Sequence, residues 1–350
     1  MSLQTALATL ASSYHLAGYD LSGADLSGCD FSNCHFEDVR LVGCNLSHAQ
    51  LAGSVWQRCD LSGVQLSGAQ LLGAQFLNVN LRDAQLQDAQ AAQASWLQVD
   101  FTGAVACGAD FSGATFGQCV FKAAQLGRVK LVKADCDACS FEGTDFTGAN
   151  LTRWTAMNTD LASARFAHTQ LVQAYLKGCH LAGQTFAGCD LTMTIFNESA
   201  LQLVHFGGAV LDRTSLLGTQ LQGADLSGVK GHYTALIGAN LEKSNLSGAE
   251  FEMSDASDAQ FHGACASGSR WHQSVLQRIQ AKRANFEAAS FIECDLSNAD
   301  LSGSNCCGVN LNGANLHAIQ DLGTRWDNAQ RTGSRLTDVA LARAEHWVTA

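Results

Sequence analysis

Proline is absent from this chain of 350 residues, against an average of about 5%. Proline has no backbone N–H to give to a ladder. A fold whose strands are paired on both sides has few places for it. Charge is also scarce: 15% of residues are charged, and 21 Lys and Arg against 32 Asp and Glu leave a net −11. No long basic stripe exists, which argues against direct nucleic-acid binding. The small basic clusters (Lys122, Arg128, Lys130, Lys133; Arg278, Lys282, Arg283) have acids nearby. No apolar run is long enough to span a bilayer, and MSLQTALATLASSYH carries neither a basic region nor a cleavage signature. The expectation is a cytoplasmic protein without a membrane partner, with signal-less secretion of an effector as the other route. GxSxG, P-loop, HExxH and EF-hand signatures are missing. Neither an enzyme nor a cofactor is expected.

What the chain has in abundance is a period of five. Tyr19–Phe31 reads YDLSGADLSGCDF, with large apolar residues at Leu21, Leu26 and Phe31. An α-helix needs apolar spacing near 3.6 and a strand needs 2. Five fits neither and marks a repeat of short strand plus turn. Of the 61 positions at this spacing from Leu16 to Leu316, here called centres, Leu or Phe fills 49. All 17 Phe are centres, and the residue two before a centre is Ala, Cys, Ser, Thr or Val at 56 of 61. Of the 33 Gly, 27 lie two after a centre, where a corner needs backbone freedom. Nothing interrupts the register.

Ala24-Asp25-Leu26-Ser27-Gly28, Ala109-Asp110-Phe111-Ser112-Gly113 and Ala299-Asp300-Leu301-Ser302-Gly303 resemble the A(D/N)LxG unit of the pentapeptide-repeat family. That resemblance implies an all-β fold, a right-handed quadrilateral β-helix with four pentapeptides per coil. Centre and minus-two side chains would point inward. About 15 coils at a strand spacing near 4.8 Å would make a rod of roughly 70 Å. Three segments are expected. Residues 1–15 form a capping helix with Leu3, Ala6, Leu7 and Leu10 on one face. Residues 16–318 form the repeat. Residues 319–350 hold a degenerate last coil and a second cap helix, opened by Thr337-Asp338, with Leu341, Ala344 and Trp347 on one face.

Nine of the 14 Cys occupy the minus-two position. They alternate there with Ala, Ser and Thr, so small size is what they share. Only Cys119 and Cys139 sit twenty apart, which gives no disulfide framework and suggests a reducing compartment. Trp154 at a small-residue position precedes the Ala156 centre, a size swap. Gly231 is the one centre without a side chain, and Gln184 the one inward amide.

Residues twenty apart should stack in columns. Lys230, Glu250 and Arg270 then form a charge ladder, worth only a few tenths of a kcal/mol per pair. Beside it run Asp212, His232, Glu252 and His272. His232, Glu252 and His272 are weak metal candidates, because neighbouring ladder side chains point outward in parallel instead of converging. Met157, Tyr175, Met193, Ile195, Leu217, Tyr233, Ile237 and Met253 all take outward positions around one corner. Such a stripe suits an unidentified protein partner or a second copy of the chain. The C-terminal helix is the other candidate dimer contact.

The composition therefore favours a non-enzymatic, rod-like scaffold for protein–protein interaction. The resemblance supplies an alternative, because some family members mimic duplex DNA and bind DNA gyrase, conferring drug resistance. Duplex DNA carries one charge per about 1.7 Å, whereas net −11 over the expected rod is roughly one per 6–7 Å. The protein at micromolar concentration is predicted neither to inhibit gyrase supercoiling nor to relieve quinolone poisoning. A dose-dependent effect in a supercoiling assay would favour the DNA-mimicking reading.

Overall fold

A five-residue period closes into a fold only if each unit finds a partner at a fixed distance along the chain. In the computed structural model, which describes residues 3–345, that distance is twenty residues, so four units make one turn. The N–H of Leu21 donates to the Arg40 carbonyl at 2.8 Å, and the Arg40 N–H returns to Tyr19 O at 2.9 Å. Both partners are extended and run the same way, so every such pair is parallel. The chain divides into two compact units, Met1–Tyr175 and Leu176–Ala350.

The first unit opens with α1 (Leu3–Ser13), which buries Ala6 and Leu10. One face of each turn is then a two- or three-residue strand: β1 (His15–Ala17), β2 (His35–Glu37), β3 (Val55–Gln57), β4 (Gln75–Leu77), β5 (Ser95–Leu97), β6 (Thr115–Gly117), β7 (Asp135–Asp137) and β8 (Thr155–Ala156). They form one parallel sheet in chain order. Eight strands make seven turns of ladder. The count of about 15 coils is reached only by including the turns held by single bridges, which carry the same period to Asn315↔Arg335. At most corners the N–H three after a centre bonds back to it, as Ala24 does to Leu21 at 3.0 Å. The residue between, Gly23, has φ +72°, the geometry of a type II turn.

Inward, the strand face stacks aromatic rings. Phe36, Trp56, Phe76, Trp96 and Phe116 lie nearly parallel, with successive centroids 3.9, 5.9, 4.0 and 6.2 Å apart. Each contact is worth about 0.5–1.5 kcal/mol beyond burial. The ladder ends at Cys136 and Ala156, where Trp154 fills the space. Its ring is fully buried, 5.6 Å from the Phe141 and Phe146 rings, and its Nε1 lies 3.2 Å from Cys136 Sγ. This is the expected size swap.

In the second unit, which ends with α2 (Val339–Glu345), the inward minus-two positions show why small polar residues are tolerated. Thr234 Oγ1 donates to Leu211 O at 2.8 Å, and Ser254 Oγ to Gly231 O at 2.8 Å. These two hydroxyls find a carbonyl of the preceding turn, whereas Thr219, Ser244 and Ser269 use the carbonyl three residues back, so burial leaves none of them an orphan. Gly231 is a centre because its neighbour already takes the room: a Cβ there would sit 2.8 Å from the Phe251 ring.

The last turn differs from the expected cap. Asp321 and Arg331 replace apolar centres. The Arg331 guanidinium lies 4.1 Å over the Trp326 ring, whose Nε1 donates to Asp321 at 3.2 Å. Asp338 caps α2 by accepting the Ala340 and Leu341 N–H groups at 2.8 and 3.1 Å. His317 fastens both ends of the helix, accepting from Asp338 N–H at 3.1 Å and meeting Glu345 at 3.1 Å. Yet α2 buries none of its described residues, and Leu322 is 88% exposed. Trp347 lies outside the described residues.

The interior supplies two tests. Trp56 and Trp271 donate Nε1 to Ser54 and Ser269 at 2.8 and 2.9 Å, whereas Trp96 has Ala94 at that position and its buried Nε1 has no partner. Ala94→Ser should stabilise the protein by about 1 kcal/mol, read as a raised denaturation midpoint; a lowered midpoint would refute the account. Leu226 is fully buried, while Gly228 has φ +59° and open space where a Cβ would stand. Leu226→Asp should cost several kcal/mol through an unpaired buried carboxylate. Gly228→Ala should cost only about 1 kcal/mol of left-handed strain. Equal losses in thermal melts would sink the inward assignment.

Candidate functional site

Outward side chains come from positions flanking each centre and from the corners. In the second unit, Met193, Arg213, Tyr233 and Met253 follow one another at twenty-residue steps with φ of 59°, 56°, 59° and 51°. They stand at the corner where other turns place Gly, and large residues there carry strain of about 1–2 kcal/mol. Arg213 reaches across the Tyr233 ring at 5.8 Å. Leu217, Tyr233 and Met253 are 38%, 53% and 41% exposed, and Met193, Ile195 and Ile237 are half-buried. Met157 (exposed) and Tyr175 (half-buried) belong to the first unit. Sequence reasoning did not single out the exposed Leu72 and Leu97 of the first unit or Leu203 of the second.

Beside that corner the polar column takes up short-range pairs. His232 Nδ1 meets Asp212 at 2.9 Å, and Asp212 also accepts the His232 N–H at 2.9 Å. His272 Nδ1 is 3.8 Å from Glu252, and its Nε2 meets Ser290 Oγ at 2.8 Å. The two histidines thus have separate partners. Arg270 pairs with Glu250 as the ladder predicts. Several members of the basic clusters are paired with acids: Lys122 with Glu142 at 3.0 Å, Lys130 with Asp110 at 3.6 Å, Arg278 with Asp258 at 2.7 Å and Lys282 with Asp300 at 3.2 Å.

All 14 Cys are free. Burial pushes the thiols of Cys294 and Cys306 up to about 12 and that of Cys59 to about 11, which keeps them protonated and unreactive. The sequence does hold one CxxC, Cys136-Asp137-Ala138-Cys139, a spacing the repeat disguises. Both thiols are buried. Contact with Cys139 and burial also raise Cys119.

A cluster that sequence reasoning missed lies on the outer face of β1 and β2. His15 and His35 are register partners, with stacked rings 4.8 Å apart at centroid. Glu37, two residues beyond His35 on the same face, puts Oε2 3.6 Å from His15 Nε2. Among the described residues these three alone gather ligand atoms of the His, Cys, Asp or Glu type, all within 4.8 Å of one another. The signal was available, since His15 and His35 are twenty apart.

A parallel solenoid with four five-residue faces per turn, small side chains inside each corner and varied ones outside, defines a class of repeat protein. The chain belongs to the pentapeptide-repeat family: the family model for a pentapeptide repeat region matches residues 13–86. The family model for pentapeptide repeats (8 copies) matches 84–122, 119–153, 164–202, 196–228, 236–270 and 282–317. No curated protein matches the chain. Similar solved structures include a trypsin-treated variant of QnrB1, a plasmid-mediated fluoroquinolone resistance protein, at 22% identity and TM-score 0.30, covering 61% of this chain and 90% of that one. HetL, a pentapeptide repeat protein involved in heterocyst differentiation regulation in the cyanobacterium Nostoc sp. strain PCC 7120, is 23% identical. It covers 75% of this chain and 96% of that one at TM-score 0.19. No described helix is long and apolar enough to cross a membrane.

Proposed function

We propose that this protein is a non-enzymatic scaffold that binds another protein through the outward columns of its C-terminal unit. The observation that carries this reading is the corner column Met193, Arg213, Tyr233 and Met253, all left-handed. Glycine would hold that backbone without strain. Large side chains at these corners bring strain and expose apolar surface, and a partner that covers them gives both a use. Leu217 and Ile237 flank the column on one side and widen it into a patch. Three steps from Met193 to Met253 span roughly 15 Å at strand spacing, enough for two to three turns of a partner helix. Met adapts to irregular partners, and Tyr gives area with a polar tip. The Asp212 to His272 column alongside supplies a polar rim, with His232 and Asp212 already fixed against each other at 2.9 Å.

The combined change Met193→Lys, Tyr233→Ser and Met253→Lys should leave the melting temperature almost unchanged, because none of the three is a centre. It should remove the protein recovered with the native chain in affinity capture, or halve the mass in sedimentation if the partner is a second copy. Survival of both binding and mass in a folded triple variant would overturn the proposal.

A further inference from the structure

We propose that His15, His35 and Glu37 form a binding site for a divalent transition cation of the zinc class at the start of the sheet. The donor set is two imidazoles and one carboxylate, the combination that suits zinc, cobalt or ferrous iron more than calcium or magnesium. The backbone already aligns it. His15 and His35 are Cα partners across β1 and β2, and Glu37 shares the outward face of β2 with His35. Tetrahedral zinc with bonds of about 2.1 Å holds its ligand atoms roughly 3.4 Å apart. His15 Nε2 and Glu37 Oε2 stand at 3.6 Å, and the whole set lies within 4.8 Å. Closing the remainder takes rotation of side chains that face outward.

Two further observations point to a ligand. His35 Nε2 is shut off from solvent and has no hydrogen-bond partner. A buried polar atom left this way is costly, and ligation would satisfy it. Second, Glu37 is already oriented. Arg58 takes its Oε1 at 2.5 Å and is itself gripped by Asp38 at 2.8 and 2.9 Å. That leaves Oε2 turned to His15, the arrangement by which an outer partner aims a carboxylate at a metal. His15 is exposed, which leaves a coordination position for water and a path of entry. His15 is separated from α1 by Tyr14 alone, so a bound cation would pin the helix to the first turn of the sheet.

The test uses the full-length protein stripped with chelator and titrated with Zn2+ and Co2+. We expect one equivalent to bind. Co2+ should give visible d–d bands without the near-ultraviolet thiolate charge-transfer band that any of the free cysteines would produce. Zn2+ should raise the thermal midpoint. His15→Ala, His35→Ala and Glu37→Gln should each weaken binding by roughly tenfold or more and abolish the thermal shift. His232→Ala should change neither. Failure to bind, a thiolate band, or undiminished affinity in both histidine variants would overturn the proposal. The cobalt spectrum of the native chain decides the matter even if a variant folds poorly.

Discussion

The structure depends on one constraint, that within each unit the backbone of residue i meets that of residue i+20. A bridging residue gives its N–H and offers its carbonyl to residues that flank its partner, as Arg40 gives to Tyr19 O and receives from the Leu21 N–H, while its neighbours Val39 and Leu41 bond Asp60 of the next turn. Once that spacing is fixed, a centre can only point inward, and its size is judged against the centres one turn before and after it. The volume exchanges follow from this: Trp154 beside Ala156, and Phe251 in the space that Gly231 leaves. Close packing makes such trades local, since an interior without voids leaves each turn answerable to its neighbours.

The same constraint governs polar atoms in the interior. A minus-two residue is small unless a neighbouring centre makes room, as Ala156 does for Trp154, and a small polar one must bring its donor to a carbonyl already on the wall. Ser274 Oγ reaches Phe251 O at 2.6 Å and Cys44 Sγ reaches Leu21 O at 2.6 Å. Alanine, cysteine, serine and threonine are therefore interchangeable by volume and separately satisfied by chemistry. Corner aspartates and asparagines show the parallel rule outside. Asp225 and Asn245 each accept the N–H two residues on, at 3.0 and 3.1 Å. The charge is dispensable to the turn and the oxygen is not.

Most of the fold was readable from residue identity because the period is long and unbroken. Centres, corners and the helix over Leu3–Ser13 follow from spacing alone. What was harder to read depends on who lies opposite. Leu341 and Ala344 show an apolar face, but amphipathicity does not say what covers it, and α2 buries none of its described residues. The unsatisfied indole of Trp96 becomes visible only by comparison with the serine partners of Trp56 and Trp271. The His15, His35 and Glu37 group needs both a column and a strand face to assemble. The column through His232 and His272 was easier to notice because it is longer. There each histidine is taken up by Asp212 or Ser290.

Pairing at twenty residues from a unit of five gives the gene a second reading frame, one of surfaces. Loss or gain of a single five-residue unit preserves every inward and outward assignment. Downstream of the change, however, each residue moves to the next of the four faces, and every column is cut and rejoined to a different one. The interior tolerates such an event while the exterior pattern is shuffled. Only changes of twenty residues conserve both. A lineage of such chains can therefore keep its core while exchanging whole outer surfaces in one step, and length modulo twenty decides which side chains share a column.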